Sequence, residues 1–249
     1  MYPAQIGSLM NHSQDAFGQL LLNCLHGNES LEIIERDDGF IEAGYGNRYF
    51  TAYEDWPSHH VMAMKHVSGR VLDVGCGAGT HSVYCQEQGC RVLGIDISPG
   101  AIQVSRHRGL RHGKVMPVTR VGASLGVFDT ILMLGGNFGT LGNSKRANRL
   151  LRRFHRMTTP TARIIAESRD PYLTSESVHR EYHKGNRRRG RMSGQVRIRV
   201  RFKNLKTPWF DYLFVSKEEM QQILNDTGWR VEQFLDSVGA GYIGVLSKS

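Results

Sequence analysis

The stretch "RVLDVGCGAGTHSVYCQEQGCRVLGIDIS", residues 70–98, constrains this chain more than any other. An apolar run stops on three glycines at alternate positions, Gly75, Gly77 and Gly79. A helical run follows, and a second apolar run ends on a lone acid, Asp96. Continuous apolar strands separated by helices indicate a parallel sheet covered on both faces. In such a sheet ligands sit outside the carboxyl ends of the strands, where the strand order reverses. The glycine loop belongs there, because glycine permits torsions closed to other residues and lets a ligand approach the main chain.

The alternation continues. Strand-like runs at 70–74, 91–95, 114–118, 128–134 and 162–168 are separated by helical runs at 80–88, 99–107 and 145–157. "KEEMQQILNDTGW" at 217–229 reads as a further helix with Glu218 and Glu219 in its first turn, and two last strands follow at 230–235 and 242–247. Ahead of the core lie a helix at 14–25, a loop-rich region, and a helix at 58–66. Between the fifth strand and the helix at 217, "GQVRIRVRFKNL" alternates Val196, Ile198, Val200 and Phe202 with Arg197, Arg199 and Arg201, the mark of a half-buried strand. "PWFDYLFV" supplies its partner. The expected fold is α/β, a doubly wound, mostly parallel seven-stranded Rossmann-like sheet. A helical and loop lid at 1–68 precedes the core at 69–249. An antiparallel cap hairpin is inserted after the fifth strand, within 169–215.

Asp96, ending the second strand, is placed to accept hydrogen bonds from both hydroxyls of a ribose, and Ile97 to pack on an adenine. A dinucleotide fingerprint would need glycine where this chain has Thr80. The pattern is instead GxGxG preceded by Asp73, an acid that repels a pyrophosphate and suits a cationic ligand. "VLDVGCGAGTHSVYCQEQGCRVLGIDISPGAI" resembles the class I S-adenosylmethionine-dependent methyltransferases, whose first motif reads D/E-x-G-x-G-x-G and whose second strand ends in an acid. The likeness covers about 69–141, and the tail "DTGWRVEQF…YIGVLSK" fits that family's last helix and strand pair.

The resemblance implies S-adenosyl-L-methionine as cofactor. Gly75, Gly77 and Gly79 would pass its methionine part, Asp96 would hold its ribose, and Asp73 would act through the loop or on its amino group. Asn137, in "LMLGGNFGTLG", would sit near the sulfonium with Phe138 beside it. After the third strand the family places a polar contact to the adenine, and here "RVGAS" offers only backbone or Ser124.

Methyl transfer needs alignment of an acceptor with the carbon–sulfur bond, exclusion of water and, for a protonated acceptor, one base. Candidate bases are Glu167, Asp170, His179 and His183, although each of them is more simply read as a satisfied polar residue. His59 and His60, near a helix start, read as surface residues. No metal-ligand spacing appears. Tyr45, Tyr49, Tyr53 and Trp56 form an aromatic run that closes over a ligand or braces the lid, and Tyr49 is the substrate-side candidate. Asp170-Pro171-Tyr172 lacks the second proline of the adenine-methylating D/N-P-P-Y motif and follows the wrong strand, so it reads as a turn.

The net charge of +9 is uneven. Residues 179–206 hold eleven Lys or Arg against one acid, Glu181, about +10, so the rest sums to about −1. This insert reads as a solvated face, as a pocket roof in which Arg197 and Arg199, with Arg189 or Arg191, hold a carboxylate or phosphate of a small substrate, or as an RNA track to which Lys145–Arg156 adds six more basic residues and no acid. No aromatic platform is interleaved with the arginines, which weighs against RNA. The overall expectation is methyl transfer to oxygen or nitrogen of a small molecule, with an RNA methyltransferase and a non-catalytic cofactor-binding scaffold as alternatives. Four cysteines without CxxC spacing, no apolar run of membrane length and no secretory pattern in "MYPAQIGSLMNHSQDAFG" fit a reduced cytoplasmic setting.

Overall fold

In the computed structural model residues 10–249 are described, so the first nine residues of the expected lid lie outside it. The elements begin with α1 (Ala16–Leu25), β1 (Leu31–Arg36), β2 (Ile41–Tyr45), α2 (Ser58–Met64), β3 (Arg70–Val74) and α3 (Thr80–Glu87). There follow β4 (Arg91–Asp96), α4 (Pro99–His107), β5 (Gly113–Val115), β6 (Phe128–Met133), α5 (Ser144–Arg156) and β7 (Thr158–Arg169). The chain ends with α6 (Ser177–Arg188), β8 (Gln195–Phe202), β9 (Leu205–Lys206), β10 (Phe210–Leu213), α7 (Lys217–Leu224), β11 (Trp229–Asp236) and β12 (Gly241–Lys248).

The central sheet has seven strands in the order β11-β12-β7-β6-β3-β4-β5. Strands β5, β4, β3, β6 and β7 pair in parallel, and β12 lies antiparallel between β7 and β11. The chain leaves β3 toward β4 and β5, then returns to place β6 on the other side of β3. The carboxyl ends of β3 and β6 therefore flank the reversal, and both glycine loops open onto one crevice.

The two faces of the sheet are covered by different helices. Phe128, Phe154, Leu151, Met220 and Tyr242 pack between the sheet and α5 and α7. Val71, Leu132, Ile165, Cys85 and Met64 pack on the other face with α2, α3 and α4. Burying one such large side chain contributes roughly 1.5–3 kcal/mol. The starts of α4, α5 and α7 are capped by side chains. Ser98 accepts from the Ala101 N–H, Asn143 from Arg146, and Ser216 and Glu219 form a reciprocal capping box.

The region ahead of the core departs from the expected helical and loop lid. Residues expected as loop form β1 and β2, and β1 pairs with β8 as well as with β2. The cap strand therefore does not end in a simple hairpin with β10. It is the centre of a second, antiparallel sheet ordered β10-β8-β1-β2, with β9 also on β8. Strand β1, "LEIIER", hid from the sequence because its buried positions include Glu32 and Arg36, so polarity alternates against burial. Helix α1 is the wedge between the sheets. Asp15, 1% exposed, accepts from the N–H groups of both Gly18 and Gly100, joining α1 to the start of α4. A side chain on Gly100 would meet the Gly18 backbone at 2.7 Å, so this crossing requires glycine.

Candidate active site

A single cavity of about 1410 Å³ lies between the carboxyl edge of the central sheet and the second sheet. This exceeds the roughly 300–1,000 Å³ of ordinary ligand sites, room for two ligands side by side. Its floor is the loop after β3. Gly75 and Cys76 both donate to the Ile95 carbonyl at 2.8 and 3.0 Å, which pins the loop to β4. Gly75 and Gly77 have φ of +75° and +53°, and Gly77 lines the cavity with bare backbone. Gly79 does not line it. A side chain there would strike Ser105 of α4, so this glycine serves helix packing.

Asp96 lies at the cavity wall with one carboxylate oxygen accepting from Gly77 N–H at 3.0 Å and the other from Ser98 N–H at 2.9 Å. Burial pushes its pKa up to about 6 against these hydrogen bonds. Asp73 does not reach the cavity. It accepts from the Ser82 hydroxyl at 2.6 Å, bracing the loop against α3, and burial, with Asp96 nearby, raises it to about 6. Of the two roles the resemblance implied, Asp73 is placed for the one through the loop. Ile97 is 36% exposed and lines the cavity. Beyond Asp96 the wall is made by Met116, Pro117, Val118 and Thr119 rather than by "RVGAS", and Ser124 is exposed outside it.

Asn137 joins the two loops, donating from Nδ2 to the Gly75 carbonyl at 2.8 Å. Phe138 beside it is fully buried in the core and takes no part in the wall. The cradle therefore suits an adenosyl group with a chain extending past Gly75 toward Asn137. It has a carboxylate for ribose hydroxyls, an apolar side chain beside it, and glycine backbone where a Cβ would obstruct.

The roof corrects the expectation for the arginines. Val196, Ile198 and Val200 of β8, with Ile34 of β1, line the cavity, and Arg197 and Arg199 do not. Strict alternation puts the arginines on the outer face. There Arg199 makes two hydrogen bonds to Glu35, Arg201 joins the same carboxylate, Arg197 reaches Asp211 at 3.4 Å, and Arg199 covers Trp209. These arginines are paired with carboxylates of the neighbouring strands and do not line the cavity.

Tyr49 does line the cavity, edge-on to Phe17, with its hydroxyl donating to the buried Glu32 at 2.8 Å and Arg48 pairing the same carboxylate. Burial and the Glu32 charge raise its phenol well above the usual range. Of the other aromatics, Trp56 lines the cavity and Tyr53 stacks on Tyr84, whereas Tyr45 stands exposed on β2.

The other end of the cavity holds the candidate bases. His179 lines it, but its Nδ1 faces the Arg36 guanidinium at 2.9 Å. His183 is lowered to about 4, first by burial and then by its cationic neighbours. Asp170 accepts from the Tyr172 N–H, closing the turn into the insert at the cavity wall. Glu167 stands behind the wall. It accepts from the N–H groups of Gly135 and Gly136 at 2.5 and 3.1 Å. Burial opposes its ionisation, but the adjacent His59 and His60 and these N–H groups outweigh it and hold the carboxyl well below the usual range.

His59 and His60 are not surface residues. His59 is 6% exposed, and His60, its Nε2 3.3 Å from Glu167, lines the cavity. Helix α2 is too short for an amphipathic period to show this. His60 Nδ1 meets Nε2 of His81 at 3.1 Å, and burial lowers His81 to about 3, so it is neutral. His81 follows directly on the glycine loop and its Thr80, and that adjacency was the signal available. Tyr212, in the strand that partners β8, lines the cavity and donates to the Gly136 carbonyl at 2.5 Å.

Residues 71–161 match the family model described as a methyltransferase domain. The malonyl-[acyl-carrier protein] O-methyltransferase of Serratia marcescens is 39% identical over 51 residues, 20% of each chain. The present chain thus spans about a fifth of that relative's length. Glycine/sarcosine N-methyltransferase of Halorhodospira halochloris is 25% identical over 187 residues, 68% of each chain. The crystal structure of an S-adenosylmethionine-dependent methyltransferase from Bacteroides fragilis in complex with S-adenosyl-L-homocysteine superposes with a TM-score of 0.83. It covers 97% of this chain and 98% of that one at 23% identity, a likeness of fold. Residues 71–161 therefore form a methyltransferase domain, and the motif, the strand order and the glycine cradle around it suit S-adenosylmethionine as the cofactor.

Proposed function

We propose that this protein transfers a methyl group from S-adenosylmethionine to an oxygen or nitrogen of a small molecule held under the second sheet. The observation that carries the reading is the cavity itself, which runs from Asp96 past Asn137 to His60, His81 and Tyr212 beneath an aliphatic roof. The cofactor supplies a methyl group already activated on a sulfonium. The chain supplies position and dryness. The glycine loop and Asp96 hold one partner, Val196, Ile198 and Val200 exclude water above the other, and Tyr212 ties the roof to the loop at Gly136. A protonated acceptor must lose its proton as the new bond forms. The polar wall of His60 and His81, backed by Glu167, is where the chain receives it.

A mainly apolar acceptor space beneath an aliphatic roof favours a small molecule over RNA. The β8 arginines, paired with Glu35 and Asp211, are also poorly placed to track phosphates. The test is methyl transfer from donor labelled at the methyl group to a panel of small hydroxyl and amine compounds and to total RNA. Label on a small molecule supports the reading. Label on RNA alone, steeply reduced by salt, overturns it, as does tight cofactor binding with no transfer to any acceptor.

A further inference from the structure

We propose that His59, His60 and Glu167 bind one divalent transition-metal ion of the zinc class, with its open coordination position facing the acceptor end of the cavity. One ligand atom from each residue falls in a group whose members all lie within 4.8 Å of one another. His60 Nε2 is 3.3 Å from Glu167 Oε2. His59 Nε2 is 3.9 Å from Glu167 Oε1, longer than a hydrogen bond. An ion at about 2.0–2.2 Å from each donor sets neighbouring ligands roughly 3.0–3.5 Å apart, so closure needs rotamer adjustments on the order of 1 Å. Such an ion would bring within bonding range what a proton leaves apart.

The donor set points to the ion. Two imidazoles and one carboxylate, with a position left open, suit zinc and its neighbours, whereas magnesium and calcium favour oxygen alone. The outer contacts also match. Gly135 and Gly136 hold one Glu167 oxygen, fixing the carboxylate. One tautomer of His60 donates from Nδ1 to His81 Nε2, leaving its Nε2 lone pair toward the cluster. Access is open because His60 and Gly135 line the cavity while His59 and Glu167 are shielded behind them.

With the ion bound, both His60 nitrogens are engaged and it no longer takes up the acceptor's proton; a hydroxyl acceptor seated on the open position would instead lose that proton to solvent more readily. Its oxygen would then attack the methyl carbon as the carbon–sulfur bond breaks. That role rests on the methyl-transfer reading, whereas the binding site does not.

The full chain, stripped with a chelator, is titrated with zinc, cobalt(II) and magnesium by calorimetry. The expected result is one zinc or cobalt ion per chain at about micromolar affinity or better, with magnesium at least ~10-fold weaker. The cobalt form should show the visible absorption of a four- or five-coordinate nitrogen and oxygen site. His59→Ala and Glu167→Gln should each weaken zinc binding by ~30-fold or more, with the circular dichroism spectrum retained. Absence of zinc binding by the parent chain overturns the proposal even if a variant fails to fold, and so does binding undiminished in both variants. S-adenosylhomocysteine is titrated separately into the metal-free chain. Loss of that binding would strike the methyl-transfer reading and leave the metal site untouched.

Discussion

The floor and the roof of the cavity are built in opposite ways. The floor comes from one continuous stretch, in which β3, the glycine loop, α3 and β4 follow within residues 70–96. The roof is assembled from segments far apart in sequence. Ile34 of β1 pairs with Val200 of β8, and Arg36 with Ile198. The floor reads as a motif because each residue type answers a local demand, for tight torsion, close approach or a carboxylate at a strand end. The roof strands answer to each other, so neither is intelligible alone.

The largest effect should fall on the floor. Asp96→Ala should weaken S-adenosylhomocysteine binding by ~100-fold or more in calorimetry, through loss of hydrogen bonds to ribose and of the anchor for Gly77 and Ser98 N–H. Near-native affinity would remove Asp96 from the cradle. A charge in the roof should separate the two regions next. Val200→Asp should cut turnover by ~10-fold or more while changing cofactor affinity by less than ~3-fold. Equal losses in both would mean that floor and roof are not independent.

A smaller effect comes from pH. Burial raises Asp96 from 3.8 to about 6, so its contribution to the stability of the free protein is present below 3.8 and lost as pH rises through about 6. The ionised carboxylate is the better acceptor, so cofactor affinity should rise severalfold between pH 5 and 7. Asp96→Asn should flatten that rise, and a steep slope remaining in that variant would assign the titration to another group. The smallest effect should follow Arg199→Ala on the outer face of the roof. Turnover should stay within ~2-fold and the melting temperature within ~3 °C. A large fall in turnover would bring the arginine face back to the substrate.

The limits of the sequence show in particular residues. Gly75, Gly77 and Asp96 were readable because a strand end, a loop and an acid are fixed by neighbours in the chain. Arg197 and Arg199 were readable as one face of a strand, but alternation says only that they oppose Val196 and Ile198, and not which face looks inward. Glu35, some 160 residues away, settles that. His59 and His60 looked like surface residues because a seven-residue helix shows no periodicity. Their burial depends on Glu167 arriving at the end of β7.

The amino-acid order by itself determined the parallel sheet, its crevice and the cofactor cradle, since hydrophobic period, glycine torsion and strand-end chemistry act within a few residues. Only the folded chain decided the second sheet, the inward face of β8 and the meeting of two histidines with a carboxylate. Those arrangements depend on contacts across one hundred residues or more, where burial is shared between segments and neither one carries the pattern alone.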